Sequence, residues 1–191
     1  MSKILAFAGS SRKGSFNKKL VKIAASGAES AGADVMIIDL ADFPMPLFDE
    51  DLEMAQGFPE YALKFKHLLV KHDGFLIASP EYNSAFSALL KNAIDWASRA
   101  EAENEPPLVA YQGKIAAIMA TSPGGLGGIR GLVFLRMLLG NIGVTVIPEQ
   151  LAIPTTSKSF DDNGALIDEK QHQSIFNLGV KLAQFVEKIK A

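Results

Sequence analysis

Cysteine is absent from the chain, which removes disulfides, thiolate metal sites and cysteine nucleophiles together and is compatible with a reducing cytoplasm. An excess of one charge is also missing. Nineteen Lys and Arg stand against 21 Asp and Glu, a formal net charge of −2, and with no basic block a nucleic-acid partner is not expected. No apolar run approaches the ~20 residues that cross a bilayer, and Met1-Ser2-Lys3 leads straight into a strand pattern rather than a signal segment, so no membrane association is expected. His67 and His72 do not have the i, i+4 spacing of a shared metal, and His172 stands alone. Neither a metal site nor a Ser-His-Asp set is therefore expected. What is present is apolar: 48% of 191 residues are hydrophobic, enough for one sizeable core. The expectation is a single cytoplasmic domain over 1–191.

Taken in order, the chain alternates short apolar runs with helical patterns. Ile4–Ala8 reads as a strand, and Leu20, Ile23, Ala24, Gly27, Ala28 and Ala31 mark one face of a helix. Ala33–Leu40 is a second strand, stopped by Pro44 and Pro46. An acidic run at Asp49-Glu50-Asp51 precedes a helix from Pro59 to His72, with Tyr61, Phe65, Leu68 and Leu69 on its inner face. Gly74–Ser79 is the third strand, followed by a helix from Phe86 to Ser98. Lys114–Ala120 is the fourth strand, and its helix runs from Ile129 to Asn141. Val144–Ile147 is the fifth, Asp161-Asp162-Asn163-Gly164 a turn, and the last helix spans Glu169–Lys190 with Ile175, Leu178, Leu182, Phe185, Val186 and Ile189 on one stripe. Strands that are apolar throughout, alternating with helices, predict a parallel sheet covered on both faces. The expected fold is α/β and flavodoxin-like: a doubly wound five-stranded parallel sheet, strand order 2-1-3-4-5.

In that order strands one, three and four are neighbours, so the loops after them line one crevice at their C-terminal ends. Gly9-Ser10-Ser11-Arg12-Lys13-Gly14-Ser15-Phe16-Asn17 joins a strand to a helix start. Helix-terminal amides, hydroxyls and a guanidinium are what a phosphate needs. The blander reading is a βα turn with Ser15 or Asn17 as N-cap. The sequence is neither a Walker A loop nor a G-x-G-x-x-G fingerprint. Pro80-Glu81-Tyr82-Asn83 adds an aromatic with polar neighbours, and Thr121-Ser122-Pro123-Gly124-Gly125-Leu126-Gly127-Gly128 adds bare backbone that can approach a flat ring. Phosphate at one end and a planar heterocycle at the other describe a mononucleotide, and FMN suits best.

These three loops, with Leu90-Lys91-Asn92-Ala93-Ile94-Asp95-Trp96-Ala97-Ser98, resemble the NADPH-dependent FMN reductase family, most closely its chromate, quinone and azo reductase branch, over nearly the whole chain. The resemblance implies phosphate contacts from Ser10, Arg12, Ser15, the Phe16 N–H and Asn17. It implies ring contacts from Pro80, Glu81, Tyr82, Asn83, Ser122, Gly124 and Gly125. It also implies NADPH or NADH as reductant and a ping-pong cycle in which flavin N5 carries the hydride, so no residue is assigned a catalytic role. Related sequences commonly continue Gly/His-Ser-x-Pro-Gly after Pro-Glu-Tyr-Asn; here Ser84-Ala85-Phe86-Ser87-Ala88 follows, which predicts an altered start to the third helix.

Single residues keep second readings. Glu81 is either a solvated loop carboxylate or a structural or ring-edge group; Tyr82 is a ring contact or a core aromatic; the 124–128 glycines line the ring or only turn. Lys91, Asn92 and Asp95 read as helix-fixing groups and Trp96 as core or interface. The helix 129–141 is apolar nearly all round, which predicts a second buried face in a homodimer or homotetramer, and Pro44–Phe48 is placed to reach a neighbour's flavin edge. The expected activity is reduction of a small-molecule electron acceptor: a quinone, an azo compound, a nitroaromatic or chromate. The alternative is a flavodoxin-type electron carrier with a protein redox partner.

Overall fold

In the computed structural model, which describes residues 1–161 and 163–190, the chain runs β1 (Lys3–Ala8), α1 (Phe16–Ser30), β2 (Asp34–Ile37), α2 (Glu50–Gln56), α3 (Glu60–Lys71) and β3 (Gly74–Ala78). It continues β4 (Glu81–Tyr82), β5 (Ala85–Phe86), α4 (Ala88–Ser98), β6 (Ile115–Thr121), α5 (Ile129–Asn141), β7 (Thr145–Ile153), α6 (Thr156–Ser159) and α7 (Glu169–Lys190). The main sheet has five strands in the order β2-β1-β3-β6-β7, every adjacent pair parallel. Counting only those strands, this is the expected 2-1-3-4-5. β1, β3 and β6 are buried along nearly their whole length, as a sheet covered on both faces requires.

One face carries α1 and α7 and the other α3, α4 and α5. α1 and α7 meet through glycine. A Cβ at Gly27 would lie 1.9 Å from Phe176 O, and one at Gly179 would lie 1.8 Å from Ala24 O. No side chain fits between these backbones, so the pair of glycines fixes how closely α7 clamps α1 to the sheet.

Several elements depart from expectation, each for a local reason. β7 runs to Ile153 rather than Ile147: Pro148 sits where the pairing register shifts, between Ala116↔Val146 and Ile118↔Gln150, and an irregular edge strand tolerates a residue without an N–H. α2 was not expected because none of its residues is buried; the Asp49 side chain starts it by accepting from Leu52 N–H at 2.9 Å, and Arg99 Nε donates to Glu53 Oε2 at 2.9 Å. α3 buries Lys66 beside Phe65 and Leu69 and leaves Tyr61 38% exposed. Lys66 is stabilised there by donating to Arg99 O at 2.8 Å and pairing with Glu105. Asp162 of the expected turn lies outside the described residues, but Gly164 N–H still donates to Asp161 O at 3.0 Å.

The start of the third expected helix is where the chain turns most sharply. β4 and β5 form a hairpin, Tyr82 opposite Ala85, closed by Asn83 (φ +50°) and Ser84 (φ +69°). Two positive φ angles in a two-residue loop are what the twist of a hairpin demands, and asparagine bears that conformation better than serine. Ser87 then caps α4, accepting from Leu90 N–H at 3.2 Å. The Pro44–Phe48 segment folds back on this helix: Asn92 accepts from Phe48 N–H at 2.8 Å, and both Asn92 Nδ2 and Trp96 Nε1 donate to Pro46 O. Ser84→Gly relieves the left-handed strain, and we expect it to raise unfolding stability by about 0.5–1 kcal/mol in urea titrations; a loss of stability would show that Ser84 contributes more by its side chain than the turn costs.

Candidate functional site

The three loops meet because their strands are in register, Ala8 beside Ala78 and Ala78 beside Met119. The ladder carries on into the loops, with Gly9 N–H donating to Ala78 O at 2.9 Å and Ser79 N–H to Met119 O at 2.9 Å. A Cβ on Gly9 would press on Leu90 Cβ at 3.0 Å and Ser87 Oγ at 3.1 Å, so only glycine lets the first loop pass so close to α4. The Ser87 hydroxyl uses that proximity and donates to Gly9 O at 2.6 Å.

At the start of α1, Ser15 occupies the N-cap with extended backbone, yet its hydroxyl makes no capping bond. The first acceptor is Ser15 O, taken by Lys19 N–H. The amides of Phe16, Asn17 and Lys18 therefore point forward without an intrahelical partner. Ser10 and Ser15 are buried, Arg12 is exposed, and the Arg12 N–H rests on Ser10 Oγ at 3.4 Å. Open amides, two hydroxyls and an exposed guanidinium at a helix N-terminus fit the phosphate of a nucleotide. Asn17 has a tertiary contact that its motif did not announce. Its side chain is buried and turned toward β6, Nδ2 donating to Thr121 O and Oδ1 accepting from Thr121 N–H, both at 3.0 Å.

At the other end, Tyr82 is 54% exposed at the strand terminus, Asn83 is exposed beside it, and Pro80 and Ser122 are half-buried. A Cβ on Gly125 would meet nothing within 4 Å, and one on Gly124 only Ser122 Oγ at 3.9 Å. This leaves a flat, open backbone face next to an exposed aromatic. The Glu81 carboxylate is turned the other way, to the first turn of α5: Oε2 accepts from Gly131 N–H at 3.1 Å and Oε1 from Arg130 Nη2 at 2.9 Å. Burial acts to raise its pKa, but the Gly131 amide and the Arg130 guanidinium outweigh it and hold the group below the usual carboxylate range.

One wall of the site was not expected. Beyond β7, Thr155 N–H donates to Gly124 O and Thr156 N–H to Ser122 O, each at 3.2 Å. Thr155 has φ +50°, rare for a β-branched residue and costing ~1–3 kcal/mol. Pro154-Thr155-Thr156 carried the only signal, and it was obscured by reading β7 as ending at Ile147. The histidines stand apart from the site: His67 pairs with Glu101 and His72 bonds Leu68 O, and no metal-holding cluster occurs among the described residues. A groove of about 840 Å³ runs along α1 past Lys18, Lys22, Asp39 and His172. Its polar groups are partly paired with one another, as Lys18 with Asp39 at 2.5 Å, so its volume does not point to chemistry as the converging donors do.

Residues 2–158 match the family described as NADPH-dependent FMN reductase. The chain is 35% identical over 174 residues to an NAD(P)H-dependent FMN reductase of Pseudomonas aeruginosa, covering 91% of this chain and 89% of the relative. It is 30% identical over 189 residues to a quinone reductase of Escherichia coli K12, covering 98% and 96%. Among solved structures, FerB, a flavoenzyme NAD(P)H:(acceptor) oxidoreductase from Paracoccus denitrificans, superimposes with a TM-score of 0.80 at 29% identity over 98% of both chains.

The Glu81 contacts generate a pH prediction. Because the folded-state pKa is depressed, the stabilisation is present above the unfolded glutamate value of ~4.3 and is lost as pH falls through the folded one. Arg130 is largely solvated, so the buried Gly131 contact carries most of the effect. Glu81→Gln should cost about 1–2 kcal/mol at neutral pH, and the difference from wild type should vanish in acid; a gap that persists at low pH would mean the carboxylate charge is not what matters.

Proposed function

Since this chain belongs to the NADPH-dependent FMN reductase family, whose members are NAD(P)H-dependent oxidoreductases using FMN, we propose that FMN lies across the carboxyl ends of β1, β3 and β6. The observation that carries this reading is the open start of α1, where the amides of Phe16 and Asn17 face the same loop as Ser10, Arg12 and Ser15. These groups hold the phosphate. The ring rests against Pro80, Tyr82 and Asn83, with Ser122, Gly124 and Gly125 along its other edge and the Glu81 backbone beneath; the Glu81 side chain holds that hairpin to α5.

Bound FMN would supply the redox chemistry between NADPH or NADH and an acceptor, with N5 as its hydride-accepting atom. The chain's own residues bind, orient and leave one face of the ring open, and none is assigned a proton transfer. One open face implies that reductant and acceptor occupy it in turn, a ping-pong cycle. Quinones are the acceptors we favour, with azo compounds, nitroaromatics and chromate as further candidates because each needs only electrons from that face. A flavodoxin-type carrier is the alternative, but a net charge of −2 is a weak field for docking a redox protein.

We further propose that the outer face of α5 joins two copies of the chain into a dimer or tetramer. Val133, Phe134 and Met137 are 45–65% exposed there, and Leu126, just before the helix, is 56% exposed; each is already about half-buried, so covering the rest contributes about 1 kcal/mol apiece.

Purified protein should carry or take up FMN, and initial rates with NADPH and a quinone should give parallel double-reciprocal lines; intersecting lines would exclude the ping-pong cycle. Arg12→Ala should weaken FMN binding about 10- to 100-fold, and unchanged affinity would put the phosphate elsewhere. In gel filtration at micromolar concentration the chain should elute as a dimer or larger and Phe134→Glu as a smaller species; a wild-type monomer would remove the interface.

A further inference from the structure

We infer that Asn17 is a positioning residue that couples the phosphate end of the site to the ring end; the inference rests on the FMN reading above. Its side-chain amide is 5% exposed and meets one peptide residue of β6 in both directions, Nδ2 to Thr121 O and Thr121 N–H to Oδ1, at 3.0 Å each. An amide has four hydrogen-bonding sites. Here Oδ1 and one Nδ2 hydrogen are committed to Thr121, which fixes the plane of the amide and leaves one Nδ2 hydrogen over.

The other partner of this contact carries it onward. Thr121 is the last residue of β6, and its hydroxyl donates to Ile153 O at 2.9 Å. The next residue, Ser122, donates its N–H to Ile153 O at 3.4 Å and accepts from Thr156 N–H at 3.2 Å, while Gly124 O accepts from Thr155 N–H at 3.2 Å. The first turn of α1, the end of β6 and the ring-edge loop 122–125 are thereby one hydrogen-bonded unit. A displacement of α1 at Asn17 moves the backbone that faces the ring, and a ring that orders 122–125 steadies the amides that face the phosphate.

Riboflavin, which is FMN without its phosphate, separates the two roles. Full-length protein freed of flavin by dialysis is titrated with FMN and with riboflavin, following flavin fluorescence, for wild type, Arg12→Ala, Asn17→Ala and Asn17→Ser. Each is measured at a temperature well below its own unfolding. Asn17→Ser keeps a small polar group at the buried position and serves if Asn17→Ala does not fold. Arg12→Ala should lower FMN affinity and leave riboflavin affinity within about twofold of wild type. Both Asn17 variants should lower the two affinities by a common factor of about five or more, and should shift the absorption bands of the bound flavin.

Loss of FMN affinity alone would show a direct phosphate contact and overturn the inference. Retention of both affinities would show that Asn17 serves only the fold, and would overturn it equally. Failure of wild-type protein to bind either flavin would instead remove the FMN reading on which the inference rests.

Discussion

The placement of α1 governs the rest of the site, because that helix is held at both ends by contacts that admit no substitute of similar size. Along its length the bare backbones at Gly27 and Gly179 let α7 lie against it, with a hypothetical Cβ less than 2 Å from a carbonyl oxygen on each side. At its first turn the Asn17 amide is bonded to Thr121. A helix clamped in this way aims its unpaired amides at a fixed point beyond β1, and rigid donors cost little reorganisation when a charged group arrives. The hydrophobic core on that face, with Leu20, Ala24 and Ala28 buried against Leu76, Ala117 and Leu178, is what makes the clamp stiff.

Charge around the site is arranged to leave one cationic place open. Lys18, in the first turn of α1, would repel the positive end of the helix dipole, and Asp39 offsets it at 2.5 Å. Glu81, in the β4–β5 hairpin, is neutralised by Arg130 and placed at the favourable N-terminal end of α5. Arg12 and Lys13 remain exposed on the loop itself. An anionic ligand would therefore find its countercharge at the loop after β1, while the hairpin and the loop after β6 present an aromatic and plain backbone.

Much of this architecture was readable in the sequence because it follows from periodicity. α5 and α7 begin and end where their apolar spacing says, and strands that are apolar throughout imply a parallel sheet whose order brings the three loops together. What was hidden has a different cause in each case. α2 buries nothing and so has no apolar signature; it depends on a cap and on Arg99. Lys66 reads as a surface lysine until Glu105, 39 positions away, is seen to pair with it. The hairpin at 81–86 is too short for alternation to register. Asn17 was picked out by its motif, but its partner lies 104 residues along the chain, and no local pattern carries that information. The motif marked where the site is; only the tertiary hydrogen bonds distinguish the residues facing a ligand from those holding the loops in place.

The two ends of the sheet argue for the same location independently of any motif. At the amino ends of the strands polar groups answer one another: Asp73 accepts from Lys3 N–H and from Lys190 Nζ, both at 2.8 Å, and Lys114 donates to Val70 O and His72 O, closing the last turn of α3. Burial lowers the Lys114 pKa, but those carbonyls and Asp73 keep the ammonium satisfied. At the carboxyl ends the balance is reversed. Three helix-terminal amides lack intrahelical partners, the Ser15 hydroxyl is not used as a cap, and Thr155 and Ser84 are held in left-handed backbone conformations. Strain and unmet donors both cost free energy, and around the three loops the two occur side by side, where a bound ligand could offset them. A phosphate at α1 would satisfy the donors, and a ring resting on 80–83 and 122–125 would cover the exposed Tyr82 and the open glycines. The strained residues would then serve as rigid supports of that surface, because a relaxed turn at Thr155 would release Gly124 and with it the proposed edge for the ring.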